Sequence, residues 1–301
     1  MAGGAEERHS AMTATLDALS HLDKLDPQRM IDAILAFPEM AEKAREIALR
    51  ADLGMPRTYR NIVVSGLGGS AIGGDLNRAL FAGSLREPMI VNREYDVPEF
   101  VDESTLFIAS SYSGNTEETL AAFEDALERG AHIVAITTGG TLKELARDND
   151  FPCVLLPGGY QPRAALGYGM FGLMYALVRL GVILDPGVAF DEMLSVTHSI
   201  RERCHPDVPS DKNPAKHLAA RVAGHIPVVY GSEGYRGVVA TRWKGQFNEN
   251  AKTFAAAGVF PELNHNETVG WSGVGELGAK LFAIILRDPK ESKSCLLYTS
   301  P

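Results

Sequence analysis

Cysteine is scarce in this chain of 301 residues, and the three cysteines, Cys153, Cys204 and Cys295, form no CxxC pair. This usage excludes a disulfide framework and is typical of a reducing compartment. Long apolar runs are also missing, since a run such as Phe282–Leu286 is far too short to span a bilayer. The acidic, alanine-rich first residues lack the pattern of a signal peptide. We therefore expect a cytoplasmic protein with no membrane partner.

Positive charge is in deficit, because 29 lysines and arginines face 38 acidic residues and leave a net charge of -9. Such a chain has no basic surplus with which to attract nucleic acid or an acidic membrane surface. An anionic ligand must therefore be bound by local geometry. No cluster of residues has metal-ligand spacing, and we expect neither a metal nor a cofactor. The length suggests two domains of ordinary size.

The most informative stretch is Ser110–Thr119, with the sequence Ser-Ser-Tyr-Ser-Gly-Asn-Thr-Glu-Glu-Thr. It follows an apolar run, Thr105–Ala109, that predicts a buried parallel strand, and it precedes the helix-periodic segment Leu120–Arg129. At such a turn the first N–H groups of the helix have no intrahelical partner. The positive end of the helix dipole also points outward, so the turn favours an anion.

Hydroxyl groups crowd this turn. Ser111, Ser113 and Thr116 can add donors around one phosphate, and Gly114 lets the backbone come close to it. The alternative is an ordinary helix cap, in which Ser113 or Asn115 bonds the first turn of the helix. The number of hydroxyls around a glycine favours the phosphate site.

A glycine-rich turn, Gly66–Gly74, follows another predicted strand at Asn61–Ser65 and precedes a helix. Glycines here permit the close backbone approach that a phosphate or a sugar requires. The turn also satisfies a loose G-x-G-x-x-G/A dinucleotide fingerprint. An NAD(P) oxidoreductase of the Rossmann type is therefore a rival, with Glu94 as ribose ligand, although Glu94 lies further along the chain than that fingerprint expects.

Further strands are predicted at Met89–Val91, His132–Thr137 and Cys153–Leu156. Their alternation with helical segments predicts an α/β fold with a doubly wound parallel sheet. Ligands bind such sheets at the carboxyl ends of the strands. We therefore expect Gly66–Ser70 and Ser110–Thr116 to lie at the same edge.

Arg163 is a candidate site residue shortly before an apolar helix predicted over Gly169–Leu180. A guanidinium at a helix start can pair with phosphate or stabilise a developing oxyanion. A solvated arginine is the alternative there. The segment from Asp185 to Pro214 is polar and contains several prolines. It predicts an inter-domain connection with one helical piece around Phe190–Arg203.

The second half of the chain repeats the order of strand, glycine turn and helix. The predicted elements are a strand at Ile226–Tyr230, the turn Gly231–Gly234, a helix over Tyr235–Asn250, a strand at Thr253–Ala257 and a polar loop at Pro261–Glu267. The order resembles a second copy of the first lobe, although residue identity is too low for a detected repeat.

Glu249 and His265 are candidate catalytic residues of this second lobe, because both lie at element ends or in loops. Either residue alone would more often be structural or merely exposed. Their neighbours in sequence are the amides Asn248, Asn250, Asn264 and Asn266. Amide groups can fix the orientation of a catalytic carboxylate and imidazole, which favours the functional interpretation.

Five motifs together resemble the bifunctional phosphoglucose/phosphomannose isomerases, which are built from two sugar isomerase (SIS) domains. The motifs are Gly66-Leu-Gly-Gly-Ser70, Ser111-Tyr-Ser-Gly-Asn-Thr116, Gln161-Pro-Arg163, Asn248-Glu-Asn-Ala-Lys252 and Asn264-His-Asn-Glu267. The hydroxyl turn alone specifies only the SIS superfamily, which includes sugar-phosphate sensors. The two asparagine-rich motifs indicate the isomerase branch.

This resemblance implies an aldose-ketose isomerase that interconverts glucose 6-phosphate and mannose 6-phosphate with fructose 6-phosphate. It implies that the substrate phosphate is held by Gly69, Ser70, Ser111, Ser113 and Thr116. In this family the active sites lie at a dimer interface, so it also implies a homodimer with shared active sites. No cofactor is implied.

The catalytic roles implied by the resemblance are a base at Glu249, a ring-opening residue at His265 and an enediolate-stabilising cation at Arg163. One carboxylate suffices, because the same group can move the proton between C1 and C2 as base and then as acid. Glu249 suits that task if it is buried. His265 resembles a histidine that the neighbouring subunit contributes.

The predicted organisation has four parts: an N-terminal helical segment at 1–58, a first flavodoxin-like SIS domain at 59–185, a linker at 186–214 and a second SIS domain at 215–301. We expect the second domain to be incomplete, because the family continues through further strands, helices and a late lysine. Residues 295–301 resemble a translated frame of sequencing-adaptor DNA. A non-catalytic SIS module that binds a sugar phosphate, and less so the oxidoreductase, remain as alternatives.

Overall fold

The computed structural model of the protein describes residues 15–19 and 22–288. The chain divides into two compact units, one of Gln28–Ser199 and one of Met1–Pro27 together with Ile200–Pro301. The expected adaptor-derived tail at 295–301 lies outside the described residues. Within these residues, no helix is both long enough and apolar enough to cross a membrane.

The first unit is built around a parallel sheet. Its strands are β1 (Asn61–Ser65), β2 (Met89–Asn92), β3 (Thr105–Ser111), β4 (His132–Thr137) and β5 (Cys153–Leu155). Counting Leu22–Leu25 of the other unit as α1, its helices are α2 (Met30–Leu35), α3 (Phe37–Arg50), α4 (Gly68–Leu80), α5 (Glu117–Glu128), α6 (Gly140–Asp148), α7 (Leu166–Arg179) and the start of α8 (Val188–Cys204). The five predicted strands are thus confirmed, with shifts of one or two residues at some ends.

The strand order β2-β1-β3-β4-β5, with every pair parallel, confirms the doubly wound sheet. Strands β1 and β3 are neighbours at the centre of the sheet. After β1 the chain crosses to β2 on one side, and after β3 it crosses to β4 on the other side. That change of direction is the topological switch point, where sheets of this order bind ligands.

Buried apolar runs explain why these strands form. Every residue of β3 is buried, as a central strand covered by helices on both faces requires. On one face Phe107 packs with Phe123 of α5 and Leu142 of α6, and all three side chains are fully buried. Burying one such side chain stabilises the fold by about 1.5–3 kcal/mol.

One sequence expectation about the first unit is wrong. The sequence predicts a glycine turn over Gly66–Gly74, but α4 already begins at Gly68. The glycines inside the helix serve packing, because a Cβ built on Gly73 would lie only 3.2 Å from the backbone nitrogen of Met170 in α7. A glycine here lets two helices approach closely, and its low helix propensity is offset by that contact.

The segment 186–214, predicted as a linker, is largely helical. Helix α8 spans 17 residues and contains the predicted helical piece at Phe190–Arg203. Asn213 then caps α9 (Pro214–Val222), because its side-chain oxygen accepts from the N–H groups of Ala215 and Lys216. The domain boundaries drawn from the sequence remain a prediction.

The second unit contains a parallel sheet of three strands in the order β7-β6-β8 within the described residues. Its elements after α9 are β6 (Ile226–Ser232), α10 (Tyr235–Glu249), β7 (Ala256–Phe260), α11 (Leu263–Asn266), two 3-10 segments at Thr268–Gly273 and Gly275–Lys280, and β8 (Leu281–Ile285). Together with the first sheet, this confirms the α/β class.

Two expectations about the second unit are also wrong. The strand predicted at Thr253–Ala257 begins at Ala256 instead, because the preceding residues close the end of α10. Lys252 adopts a left-handed conformation there, with φ of 52°, and the N–H of Thr253 donates to the carbonyl of Phe247. The loop predicted at Pro261–Glu267 contains the four-residue helix α11.

Alternate residues of β6 face different layers. Val229 packs with Ala240 of α10 on one face of the sheet. Tyr230 packs with Phe260 and Leu263 on the other face. Helices α10 and α11 therefore cover opposite faces of the second sheet.

Candidate functional site

Two loops meet at the carboxyl edge of the first sheet, at the switch point between β1 and β3. Ser65 pairs with Ala109 across these strands, so the residues that follow them are neighbours. A Cβ built on Gly66 would lie 2.6 Å from the carbonyl oxygen of Ser110, a distance that only glycine tolerates. Ser70, in the first turn of α4, therefore lies at the same edge as the hydroxyl loop 110–116.

A third loop, which carries Arg163, reaches the same edge. A Cβ built on Gly69 would lie 2.7 Å from the carbonyl oxygen of Pro162, so the residue before Arg163 touches the first turn of α4. Arg163 is partly buried. Its loop is fixed by a turn in which the N–H of Ala164 donates to the carbonyl of Gln161 at 2.8 Å. The contact between Pro162 and Gly69 brings Arg163 next to the N-terminus of α4.

The hydroxyl loop is folded on itself. The Oγ of Ser111 lies 2.8 Å from the Oγ1 of Thr116 and accepts from the N–H of Gly114 at 3.1 Å. Ser111 is 1% exposed, whereas Ser113 is exposed and accepts from the N–H of Asn115. The structure thus brings the three hydroxyls into one turn at the start of α5.

The alternative interpretation of this turn, as an ordinary cap of α5, is wrong. The N-cap position of α5 is Thr116, and no side chain bonds the helix start from that position. Asn115 instead caps the neighbouring helix α6, since its Oδ1 accepts from the N–H and the hydroxyl of Thr141 at 3.0 and 3.1 Å. The amide groups at the start of α5 are therefore not capped by Ser113 or Asn115.

A supporting loop, Thr137–Thr141, locks the hydroxyl loop in place. The hydroxyl of Thr138 donates to the carbonyl of Tyr112 at 2.8 Å. A Cβ built on Gly114 would lie only 1.8 Å from the carbonyl oxygen of Gly139. This loop is absent from the predicted site, although its threonines and glycines directly follow β4, as the glycines and hydroxyls of the first two loops follow β1 and β3.

Tyr112, in the hydroxyl loop, has a partly buried phenol whose pKa is changed by burial. The hydroxyl of Tyr112 donates to the carbonyl of Pro157 at 2.8 Å. Burial is the main cause that raises the pKa of Tyr112 to about 12, so the phenol stays protonated at neutral pH. Tyr112 adds no negative charge to an edge that would receive an anion.

The corresponding turn of the second unit, Gly231–Gly234, is closed by its own side chains. Arg236 donates to the hydroxyl of Ser232 and, at 2.8 Å, to the carboxylate of Asp288. The cation at this turn is thus already paired with an internal acid. The two similar turns therefore differ in chemistry.

Glu249 is the last residue of α10 and is exposed. Its carboxylate lies close to the guanidinium of Arg242. Burial lowers the pKa of Arg242, and the negative charge of Glu249 opposes that shift. The burial that suited Glu249 to act as a base is absent from the single chain. The amide of Asn248 donates to the carbonyls of Lys244 and Ala255, and therefore orders backbone rather than the Glu249 side chain.

His265 lies on α11 and is exposed as well. The amide of its neighbour Asn266 donates to the carboxylate of Glu262 at 3.0 Å and not to the imidazole. Because α10 and α11 cover opposite faces of the second sheet, the structure does not bring His265 and Glu249 of one chain together. Within residues 15–19 and 22–288, no group of three or more metal-ligating side chains is found.

Family models match both halves of the chain. The model described as the bacterial phospho-glucose isomerase C-terminal SIS domain matches residues 211–299, and the SIS domain model matches residues 57–153. These matches support two SIS domains in one chain.

Two named relatives match most of the chain. A protein of Caldicellulosiruptor bescii named bifunctional phosphoglucose/phosphomannose isomerase is 44% identical over 265 residues, which are 88% of this chain and 78% of the relative. A D-glucosamine-6-phosphate 4-epimerase of Sulfolobus acidocaldarius is 32% identical over 246 residues, which are 81% of this chain and 74% of that protein.

A solved structure has the same fold. The crystal structure of a hypothetical protein from Thermus thermophilus superposes with a TM-score of 0.68 and covers 98% of this chain and 77% of its own. At 18% identity the likeness shows the fold alone.

Proposed function

The chain belongs to the family of bifunctional phosphoglucose/phosphomannose isomerases, and we propose that it interconverts glucose 6-phosphate and mannose 6-phosphate with fructose 6-phosphate. The observation that carries this proposal is the convergence of three loops at the β1/β3 switch point, two with helix N-termini and one with Arg163. This edge offers donors and a cation to one anion. We propose the cytoplasm as its compartment.

The substrate phosphate binds, in this proposal, at the hydroxyl loop and the first turn of α4. Ser70, Ser111, Ser113 and Thr116 donate their hydroxyls, and the backbone of Gly69 approaches the anion closely. The geometry in support is the contact between these loops and the rigid support of the loop 137–141. Preorganised donors bind an anion without the cost of ordering a loop.

The chemistry requires one proton to move between C1 and C2. Glu249 takes the proton from C2 of the open-chain aldose, and the electrons pass to the C1 oxygen to give an enediolate. The hydroxyl proton on the C2 oxygen then moves to the C1 oxygen, and Glu249 returns its proton to C1, which leaves the carbonyl at C2. Arg163 stabilises the enediolate charge. His265 protonates the ring oxygen as the hemiacetal opens. A planar enediolate has lost the C2 stereochemistry, so the glucose and mannose substrates share one intermediate.

We further propose a homodimer with shared active sites. Glu249 and His265 of one chain are attached to helices on opposite faces of a sheet, which supports a site that takes these two groups from different chains. A neighbouring subunit supplies His265 in this arrangement. Its interface would also cover Glu249, which is exposed in the single chain.

The first test compares the wild type with Glu249→Gln. Fructose 6-phosphate is measured from glucose 6-phosphate and from mannose 6-phosphate, with EDTA present and nucleotides absent. We expect turnover of both sugars, and a fall in kcat of at least about 100-fold in the variant, because a general base contributes that much. Glu276→Gln is the matched control, since Glu276 is another exposed acid of the same unit.

Other outcomes separate the remaining functions. Thermal stabilisation of the wild type by hexose 6-phosphates without turnover would favour a non-catalytic sugar-phosphate module. Formation of a C4 epimer from glucosamine 6-phosphate, observed by NMR, would instead favour the activity named for the Sulfolobus acidocaldarius relative. Equal activity of Glu249→Gln and wild type would remove Glu249 from the mechanism.

A further inference from the structure

Helix α11, which carries His265, is only four residues long. A helix this short has almost no stability of its own, so its orientation must come from contacts with the rest of the unit. Leu263 is buried, and Glu267 follows it at a spacing of four residues, so both lie on the inward side. His265 lies between them in sequence and is exposed on the outward side.

The inward side is fixed by a polar cluster of Tyr230, Glu267 and Trp271. The hydroxyl of Tyr230 on β6 donates to the carboxylate of Glu267. It also accepts from the indole N–H of Trp271 at 2.9 Å. One buried phenol thus ties the helix and the 3-10 segment that follows it to the central strand of the sheet.

The sheet leaves space for this cluster at Gly258 on β7. A Cβ built on Gly258 would lie 2.8 Å from the ring of Tyr230 and 3.2 Å from the Oε2 of Glu267. The glycine therefore lets a carboxylate reach beneath the helix. Glu267 is partly buried, whereas Glu249 is exposed at the end of α10.

The Tyr230 hydroxyl keeps its proton, so it can donate the hydrogen bond to Glu267 at every physiological pH. Burial, and secondly the hydrogen bond to Glu267, raise the pKa of Tyr230. The phenol, which is 5% exposed, therefore remains a donor throughout the physiological pH range. Removal of its hydroxyl leaves a partly buried carboxylate and an indole N–H without this partner, which is unfavourable.

We propose that Glu267, held by Tyr230, is a positioning residue that sets the direction of His265. This inference rests on the proposed isomerase function, in which His265 opens the sugar ring. Neither residue touches the substrate. They act by fixing the inward side of α11, and a loss of the hydrogen bond lets the helix turn and moves the imidazole away from the ring oxygen.

A double-mutant cycle tests this role. The proteins are the wild type, Tyr230→Phe, His265→Asn and the double variant, and the readout is kcat and KM for glucose 6-phosphate. We expect Tyr230→Phe to lower kcat by about tenfold in the wild-type background. In the His265→Asn background we expect the same substitution to lower kcat by less than about twofold. Equal losses in both backgrounds would overturn the proposal, because a general structural defect does not depend on His265.

Conservative and matched variants complete the test. Glu267→Gln keeps an oxygen that accepts from Tyr230 and is expected to retain kcat within about threefold, whereas Glu267→Leu behaves like Tyr230→Phe. Tyr235→Phe is the control, since the hydroxyl of Tyr235 also donates to a carboxylate, that of Asp288, elsewhere in the unit. A tenfold loss in this control would contradict a specific role for Tyr230.

A readout without catalysis separates this inference from the proposed function. The imidazole signals of histidine-labelled protein are recorded by NMR, and His265→Asn assigns the signal of His265. We expect Tyr230→Phe to shift or broaden that signal and Tyr235→Phe to leave it unchanged. An inactive wild type with the expected NMR change would reject the isomerase proposal alone. An unchanged signal in Tyr230→Phe would reject the positioning role.

Discussion

At the scale of single residues, Gly114 decides whether the hydroxyl loop can close. Its φ is 73°, and the carbonyl of Gly139 occupies the place of a side chain. An alanine here meets both backbone strain and a direct clash with the supporting loop. The residue therefore lets the backbones of the two loops approach more closely than a side chain would allow.

We predict that Gly114→Ala raises KM for hexose 6-phosphates at least about tenfold, because the clash displaces the hydroxyl donors. Gly130→Ala is the matched control. Gly130 has nearly the same φ, 75°, but its nearest heavy atom is 4.0 Å from the added Cβ. The control is expected to lose about 1–2 kcal/mol of unfolding free energy and keep its KM. Steady-state kinetics with a urea unfolding curve for each variant measures both effects.

The residues of this edge were predictable to different degrees. Ser111 and Thr116 are predicted as phosphate donors because hydroxyls after a strand are a local pattern, and the structure shows their two hydroxyls in contact. The role of Thr138 is not predicted, since its hydroxyl bonds the backbone of a loop that lies elsewhere in the sequence. The alternative, a cap of α5 by Ser113 or Asn115, is wrong for the same reason, because the partner of Asn115, Thr141, belongs to another helix. Local sequence indicates donors, and only the fold gives their partners.

At the scale of elements, Asn77 joins helix α4 to helix α7. Its side-chain amide donates to the carbonyl of Gly73 at 2.8 Å and to that of Met170 at 2.9 Å, and the residue is fully buried. Helix α4 carries Ser70, and α7 follows the loop of Arg163. The bridge therefore sets the distance between two of the three loops at the carboxyl edge.

We predict that Asn77→Ala lowers the free energy of unfolding by about 1–3 kcal/mol, since it leaves a buried carbonyl in α7 without that donor. Asn149→Ala is the matched control, because Asn149 makes the same type of bond, to the carbonyl of Leu145 at 2.9 Å, on an exposed surface. Its expected effect is within about 0.5 kcal/mol. Denaturant unfolding of both variants decides between these expectations, and equal losses would contradict the bridging role of Asn77.

Elements with a strong apolar pattern were predicted well. The strand β4 was predicted at its observed bounds, His132–Thr137, because its interior is a continuous apolar run. The start of α4 was wrong because it depends on a tertiary contact, and the position of β7 was wrong because the end of α10 was not recognised. Gly73 lies in a helix because α7 packs against it, and β7 starts late because Lys252 and Thr253 first close α10.

At the scale of the whole molecule, a shared active site makes a testable prediction about mixed subunits. Glu249→Gln and His265→Asn are each expected to be nearly inactive. Refolded together from denaturant, half of the dimers contain one chain of each kind, and one of their two sites holds both native residues. We therefore expect about a quarter of wild-type activity to return.

The control for this experiment mixes Glu249→Gln with the Glu249→Gln, His265→Asn double variant. No arrangement of these subunits produces an intact site, so activity should not return. An absence of recovery in the first mixture, with dimers present by light scattering, would show that each site uses residues of one chain. The sequence implied such sharing only through its family resemblance, because no local pattern records which face of a sheet a helix covers.

The cap that Asn115 provides for α6 has one more consequence. A backbone amide exchanges its hydrogen with solvent only when its acceptor moves away, and here the acceptor of the Thr141 amide belongs to the hydroxyl loop. Opening of that loop thus exposes the start of a neighbouring helix. The hydrogen-exchange rate of the Thr141 amide, in the first turn of α6, therefore reports the opening of the candidate phosphate site. No probe has to be attached to the protein for this measurement.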